Sequence, residues 1–509
     1  MSDVAVLPED AWNRELVDSV HPADWTNPTP PEKYALVVIG AGTAGLIAAV
    51  GAAGMGARVA LIERHLMGGD CLNFGCVPSK AILAAAHAVH AARSGAEFGL
   101  SGDFTFDFGV AMERLRRLRA QIAHHDSAAR FTELGADVYL GQAKFTAPDT
   151  VIVGEQPLKF HRCIIATGAR AALPPIPGLE DAGALTNETV FSLTELPERL
   201  LILGAGPIGC ELAQAFQRFG AQVTLLDMAE RVMPREDPDA GRLLGERLAS
   251  EGVALELGVG VARVETRPSE GREPEALETV IVLSDGRELV GDALLVAAGR
   301  RPNVEGLDLV AAGVAYGRRG VTVDDNLQTT NPRIYAAGDI CSRFQFTHTA
   351  EQNARIALQN ALFFGRKKAS DMVVPWATYT DPEVAHVGMT AEEALAAGEA
   401  VRTFTVQLAT NDRAILEGQT EGFARVHAAA KGGTILGATM VSAHAGESIS
   451  QMTLAITQGL TLGDIAATIH PYPTQADVWR QLGNAWNRGR FTPTAARASG
   501  WFLGRLSED

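Results

Sequence analysis

Cysteine is scarce in this chain: five in 509 residues cannot build a disulfide scaffold. An excess of basic charge is also missing. Lys and Arg number 44 against 60 Asp and Glu, a formal charge of -16 with a pI near 5.3, which argues against a protein bound to nucleic acid or anionic lipid. The N-terminus "MSDVAVLPEDAWNREL" has no basic segment followed by an apolar run, so no secretory leader is expected. No membrane span is expected either. The longest apolar stretch, "ALVVIGAGTAGLIAAVGAAGMGA" at 35–57, is interrupted by glycines where a strand would turn into a helix. Together these absences point to a cytoplasmic enzyme in a reducing compartment, where a close cysteine pair is more often catalytic or metal-binding than structural.

What is present is ordinary globular composition in a chain long enough for about three domains. Residues 1–33 are polar and proline-bearing, ending "HPADWTNPTPPEK", and read as a poorly ordered or surface-draped extension. From Tyr34, "YALVVIG", "AGTAG", "LIAAVGAAGMG" and "RVALIE" predict strand, turn, helix and strand, and the pattern recurs at 199–227. Each copy carries Gly-x-Gly-x-x-Gly with an acid 23 positions after the first glycine: Gly40, Gly42, Gly45 with Glu63, and Gly204, Gly206, Gly209 with Asp227. The first glycine makes the tight turn, the second admits a pyrophosphate, and the third lets helix pack on strand. The acid then meets a ribose hydroxyl. Two such units suggest an electron-transfer pair of nucleotides.

Beyond about residue 370 alternating strands give way to helical "SISQMTLAITQGL" and "TLGDIAATI", which predicts an α+β domain. The basic helix "AMERLRRLRAQIAHHD" at 111–126 reads as a solvated face, His87 and His90 lack a third ligand, and Cys163 and Cys210 read as packing residues.

The stretch "GGDCLNFGCVPSK" at 68–80 holds Cys71 and Cys76. In a regular helix their Cα atoms would lie about 8.6 Å apart, beyond the roughly 7 Å limit of a disulfide. A bridge therefore requires the backbone to leave helix geometry, and "LNFG" is where it can. Zinc would need two further ligands that the sequence does not offer at suitable spacing. A redox disulfide is the favoured reading, with two inert buried thiols as the alternative.

With "IIATGAR" at 164–170, "LLVAAGRRPN" at 294–303, "IYAAGD" at 334–339 and "DPEVAHVG" at 381–388, the chain resembles the flavin-dependent pyridine nucleotide-disulfide oxidoreductases from about residue 34 to 485. The resemblance is nearest to mercuric-reductase-like members. It implies an α/β fold of the glutathione-reductase kind: two Rossmann-like dinucleotide-binding domains plus an α+β dimerisation domain, assembled as a homodimer. The implied boundaries are 34–168 with 299–368 for FAD, 169–298 for NAD(P)H and 369–509 for the interface.

By the same resemblance Glu63 and Asp339 hold FAD, with Gly69, Thr167, Gly168 and Gly299 at the cofactors. Cys76 is the flavin-side thiol and Cys71 the interchange thiol, while Lys80, paired with Glu211, sits beside the flavin. Electrons would pass from nicotinamide through flavin to the disulfide and on to an acceptor. Asp227 favours NADH, with Arg231 and Arg235 leaving NADPH open.

One departure bears on the acceptor. "IHPYPTQADVW" at 469–479 puts Tyr472 where disulfide-reducing members carry a histidine, and Asp477 where they carry a glutamate. A phenol titrating near 10 is a poor base at neutral pH. His470, two residues early, reads as structural. Tyrosine here is shared with mercuric reductases, yet no cysteine follows Cys341 and no N-terminal Cys-x-x-Cys is present, which argues against efficient mercury turnover. The expected acceptor is a small thiol-reactive molecule or metal-thiol complex. The alternatives are a dihydrolipoamide-type dehydrogenase with altered acid/base and a redox-sensing flavoprotein using its extension to dock a partner.

Overall fold

A computed structural model of the chain describes residues 4, 6–269, 277–363, 365–490 and 493–506. Two compact units emerge: Met1–Val232 with Leu248–Met372, and Met233–Arg247 with Val373–Asp509.

In the first unit, β1 (Tyr34–Ile39), α2 (Thr43–Gly54) and β2 (Val59–Glu63) form the first strand-helix-strand repeat, following an N-terminal helix α1 (Ala11–Val20). Both strands are apolar up to the Glu63 that ends β2, as a strand covered on both faces must be. They join β3 (Ala136–Leu140), β4 (Ala143–Ala147), β5 (Thr150–Val153) and β6 (Gln156–Ile165) in the order β3-β2-β1-β6-β5-β4, with Ile334–Ala336 parallel to β6. The part from β3 to β6 is parallel; β4 and β5 extend it as an antiparallel ribbon. Between β2 and β3 lie α3 (Gly69–Asn73), α4 (Cys76–Ser94) and α5 (Phe108–Ala123).

The second repeat builds a parallel four-stranded sheet from Ala254–Leu257, Gln222–Asp227, Arg199–Leu203 and Ala293–Val296, with helix Pro207–Phe219. The two "TG" and "AG" crossings lie side by side, because Ala169–Ala171 pairs antiparallel with Arg300–Pro302.

In the second unit a five-stranded antiparallel sheet runs Pro375–Thr378, Glu383–Gly388, Ile435–Ser442, Phe423–Ala429, Val401–Gln407. Its apolar residues, among them Ala385, Met440 and Val426, share a buried core with Met452, Trp479 and Leu482 of the helices Ala445–Thr457 and Val478–Arg490. No helix among the described residues is long and apolar enough to cross a membrane.

Two expectations fail. The N-terminal segment is not draped: α1, capped by the Asp10 side chain, buries Leu16 and Val20 completely in the core that holds Leu36 and Leu61. Proline and polar residues flank α1, but Leu16 and Val20 lie four apart, on one face of the helix, and that face is buried. Nor is α5 merely a solvated face. Arg116 and Arg119, three apart, are both buried, because α1 packs on α5 and supplies their partners. Leu16→Ala is expected to destabilise the protein by about 2–5 kcal/mol, the usual range for a buried leucine. Urea unfolding checks it; an unchanged midpoint would mean that α1 does not pack as described.

Candidate active site

The cysteine segment owes its shape to glycine. Gly68 and Gly69 take positive φ of 85° and 60°, turning the chain into α3, which ends at Asn73 and is capped by Phe74. Gly75, at φ -125° and ψ -111°, then restarts the chain as α4, with Cys76 its first residue. The helix break falls where the spacing required it, bringing Cys71 and Cys76 within hydrogen-bonding reach of each other. Cys71 is half-buried, and Cys76 keeps a face open to solvent although protein crowds its other side.

Several groups act on the pair. The hydrogen bond from Cys71 is the largest influence pulling Cys76 down, to about 6, against the opposing effect of burial; the Thr347 hydroxyl, 3.4 Å from its sulfur, and the Lys80 ammonium assist. Cys71 is pushed up, first by that same hydrogen bond and then by burial. Position adds to this, since a thiolate at the first turn of a 19-residue helix meets the positive end of its dipole. Lys80, one turn on, is held by Glu211 of the helix Pro207–Phe219 at 2.8 Å.

Asp70, between the glycines and Cys71, accepts from Asn187 at 2.8 Å and pairs with Arg300 at 3.1 Å. Arg300 also approaches Asp339, at 3.5 Å. Burial pushes Asp339 up to about 6, with Arg300 pulling it down and Asp70 adding to the rise. Asp70 and Arg300 stood next to singled-out residues and could have been noticed. Thr347 and Asn187 have no local signal, lying 271 and 117 positions from the residues they touch.

The two glycine loops are near copies. Gly40 and Gly204 have φ of 100° and 113°. A side chain on Gly45 would lie 1.7 Å from the Gly40 carbonyl oxygen, and one on Gly209 1.8 Å from that of Gly204. Each acid accepts from the loop: Ala41 donates to Glu63 and Ala205 to Asp227, both at 2.7 Å. Gly42 and Gly206 begin their helices with no side-chain cap, leaving first-turn amides for a phosphate. These features fit FAD and a pyridine nucleotide. Thr167 and Asn303 exchange hydrogen bonds at 2.9 Å, fixing the crossing next to Gly168, whose φ is 65°; Gly299, at φ 129°, turns the other crossing.

In the second unit, the Tyr472 hydroxyl donates to Asp412 at 2.9 Å, and that bond holds the phenol above its ordinary value. Asp477 reaches Tyr472 through its charge, which adds to the rise of the phenol. Burial is the largest single influence and pushes Asp477 up, but the bonds from Arg480, at 2.7 and 3.0 Å, and from Gln481, at 3.2 Å, together hold the carboxyl low. His470 is tied to Gln451 at 2.7 Å and to the Thr468 carbonyl at 3.0 Å. Among the described residues no group of three or more His, Cys, Asp or Glu could hold a metal ion.

Two dinucleotide-type loops, one of them against a close dithiol, define a two-nucleotide redox protein. Residues 34–354 match the family described as pyridine nucleotide-disulphide oxidoreductase, and 374–482 its dimerisation domain. The chain is similar to mercuric reductase of Lysinibacillus sphaericus, 36% identical over 88% of this chain and 81% of that one. It is also similar to dihydrolipoyl dehydrogenase of Chlamydia muridarum, 34% identical over 88% and 96%. Among solved structures, the HOCl-induced flavoprotein disulfide reductase RclA of Escherichia coli matches with a TM-score of 0.79 at 30% identity, over 89% of this chain and 99% of that one. The chain belongs to the pyridine nucleotide-disulphide oxidoreductases and is a flavin-dependent oxidoreductase of that family.

Iodoacetamide modification of the reduced pair should rise through about pH 6, because the Cys76 thiolate persists above its lowered value and is lost below it. Thr347→Val, which removes a hydrogen bond to the thiolate, should move the midpoint upward. A midpoint at the ordinary thiol value of 9.0 in the parent protein would contradict the arrangement.

Proposed function

We propose that this protein uses NADH, through bound FAD and the Cys71/Cys76 pair, to reduce a small thiol-reactive molecule or a thiol-bound metal ion, in the manner of a mercuric reductase. The observation that carries the reading is Tyr472: its hydroxyl is committed to Asp412 and titrates above the usual phenol range. A disulfide acceptor needs a group that exchanges protons near neutrality with the departing and returning thiols, and a phenol so held does not. A thiophilic metal ion or electrophile makes no such demand. The similarity to mercuric reductases supports this, as does the existence of a Cu(II) complex of the RclA reductase.

The chain's own groups divide the work. The flavin, when bound, supplies two-electron transfer between the nicotinamide and the cysteine pair. Cys76, on the α4 N-terminus beside Lys80, is kept as the thiolate of the reduced pair. Cys71, the protonated partner, is the thiol offered to the acceptor. Glu211 holds Lys80 in place. In a homodimer joined through the C-terminal sheet, Tyr472 of one subunit would line the acceptor side of the other's pair.

Asp227 supports NADH. Its carboxylate is pinned by the Ala205 and Ala229 amides at 2.7 and 2.8 Å, where a free 2′-hydroxyl is accepted and a 2′-phosphate repelled. The sensor alternative drew part of its support from an extension without an assigned role; within that extension α1 is buried in the first unit.

Anaerobic reduction by one equivalent of NADH, followed by separate challenge with a Hg(II)-thiol complex, Cu(II) and lipoamide, tests the proposal. A long-wavelength thiolate-to-flavin band should form and vanish in Cys76→Ser. A metal ion should discharge it, with lipoamide on the order of a hundredfold slower, the lower end of what a general base contributes. Faster discharge by lipoamide would assign the protein to the dihydrolipoamide dehydrogenases. Asp227→Asn should lower the NADH/NADPH ratio of kcat/KM by about tenfold, the equivalent of one lost charge repulsion of roughly 1.4 kcal/mol; an unchanged ratio would remove Asp227 from nucleotide selection.

A further inference from the structure

The matched family region begins at residue 34, yet residues before it reach the segment that carries the cysteines. The Met67 amide donates to the Val20 carbonyl at 3.3 Å, and His21 bonds the His65 carbonyl. Arg119 of α5 makes the longer connection: one guanidinium nitrogen donates to Asn13 Oδ1 at 2.6 Å, the other to the Asn73 carbonyl at 2.7 Å. All three residues are buried, at 2%, 2% and 0% exposure. Arg116 beside it is bound to Asp10, so both buried arginines take partners from the N-terminal segment.

Asn73 is the last residue of α3, two beyond Cys71. A helix of five residues cannot hold itself together in water, and its terminal carbonyls need outside donors. Arg119 is that donor, and a buried guanidinium in turn requires every partner it has. Arg119 Nε already lies buried with no partner among the described residues, and loss of Asn13 would leave a second nitrogen in that state.

We propose that Asn13, Arg119 and Asn73 form a positioning relay through which α1 fixes the C-terminal end of α3 and so the approach of Cys71 to Cys76. The proposal rests on the reading of that pair as redox-active. A slack α3 lowers the effective concentration of one thiol at the other, which shifts the pair toward the dithiol without touching either sulfur.

The test is an equilibrium titration of the full-length holoprotein against glutathione, with thiol trapping read by mass. Two glutathione thiols reduce one Cys71–Cys76 disulfide to two thiols and become one glutathione disulfide. Asn13→Ala should move this equilibrium toward the dithiol by about tenfold, which is about 30 mV for two electrons. Arg119→Met should shift it at least as far and Arg119→Lys less, because lysine keeps the charge and a donor. Trp25→Phe loses the bond to the Val138 carbonyl, 3.2 Å, but spares the relay and should match the parent. If Arg119→Met does not fold, as judged by circular dichroism and flavin content, Asn13→Ala decides. A folded Asn13→Ala with the parent equilibrium, or an equal shift in Trp25→Phe, overturns the relay. Absence of a reversible disulfide in the parent itself would instead overturn the redox reading on which it rests.

Discussion

The chemistry of this site depends on one helix boundary. A continuous helix from Gly69 onward would hold Cys71 and Cys76 too far apart to interact, and would bury the amide of Cys76 in an internal hydrogen bond. Ending α3 at Asn73 and starting α4 at Cys76 does two things at once. It folds the sulfurs together, and it places one of them on the unsatisfied, positive end of a long helix. The asymmetry of the pair, with Cys76 lowered and Cys71 raised, follows from that placement and from the hydrogen bond between them. Gly75 is the residue that permits it. A side chain there would press on the Asp70 carbonyl at 3.0 Å.

The same segment is pressed against the first nucleotide loop. A side chain on Gly69 would lie 2.6 Å from Gly42 Cα, so the backbones of the phosphate loop and the redox segment are in direct contact. At the second loop nothing among the described residues lies within 4 Å of a side chain added to Gly206. The repeated loops are alike in their own geometry and differ in what surrounds them: one is built into the cysteine site, and the other stands open. That difference suits one nucleotide that stays and one that comes and goes.

Electrostatics tie these parts together. Arg300 stands between Asp70, at the start of the cysteine helix, and Asp339, each a carboxylate in a largely buried setting. Glu211 reaches from the second nucleotide unit to Lys80. These pairs link segments far apart in sequence, and partly buried pairs of this kind hold geometry more than they add stability. In the second unit Tyr472 donates to Asp412, while Asp477 takes its bond from Arg480.

Much of this was legible in the sequence because its physics is local. Glycine at 40, 45, 204 and 209 is demanded by the turn it makes, and the acids at 63 and 227 lie within one strand-helix-strand unit of their loops. The break between Cys71 and Cys76 followed from their spacing once the two were read as a bridged pair. The alternating strands after residue 370 carried their own period. The sequence by itself therefore determined the nucleotide loops and the order of elements, and it singled out Cys71 and Cys76 as a close pair. Only the tertiary structure decided that Leu16 is core, that Arg116 and Arg119 are buried, and that Thr347 faces Cys76 while Tyr472 serves Asp412. Arginines at three-residue spacing look the same on a wet face as on one covered by a neighbouring helix. What separates the cases is a partner 106 residues away, and no periodicity within a segment records which other segment will pack against it.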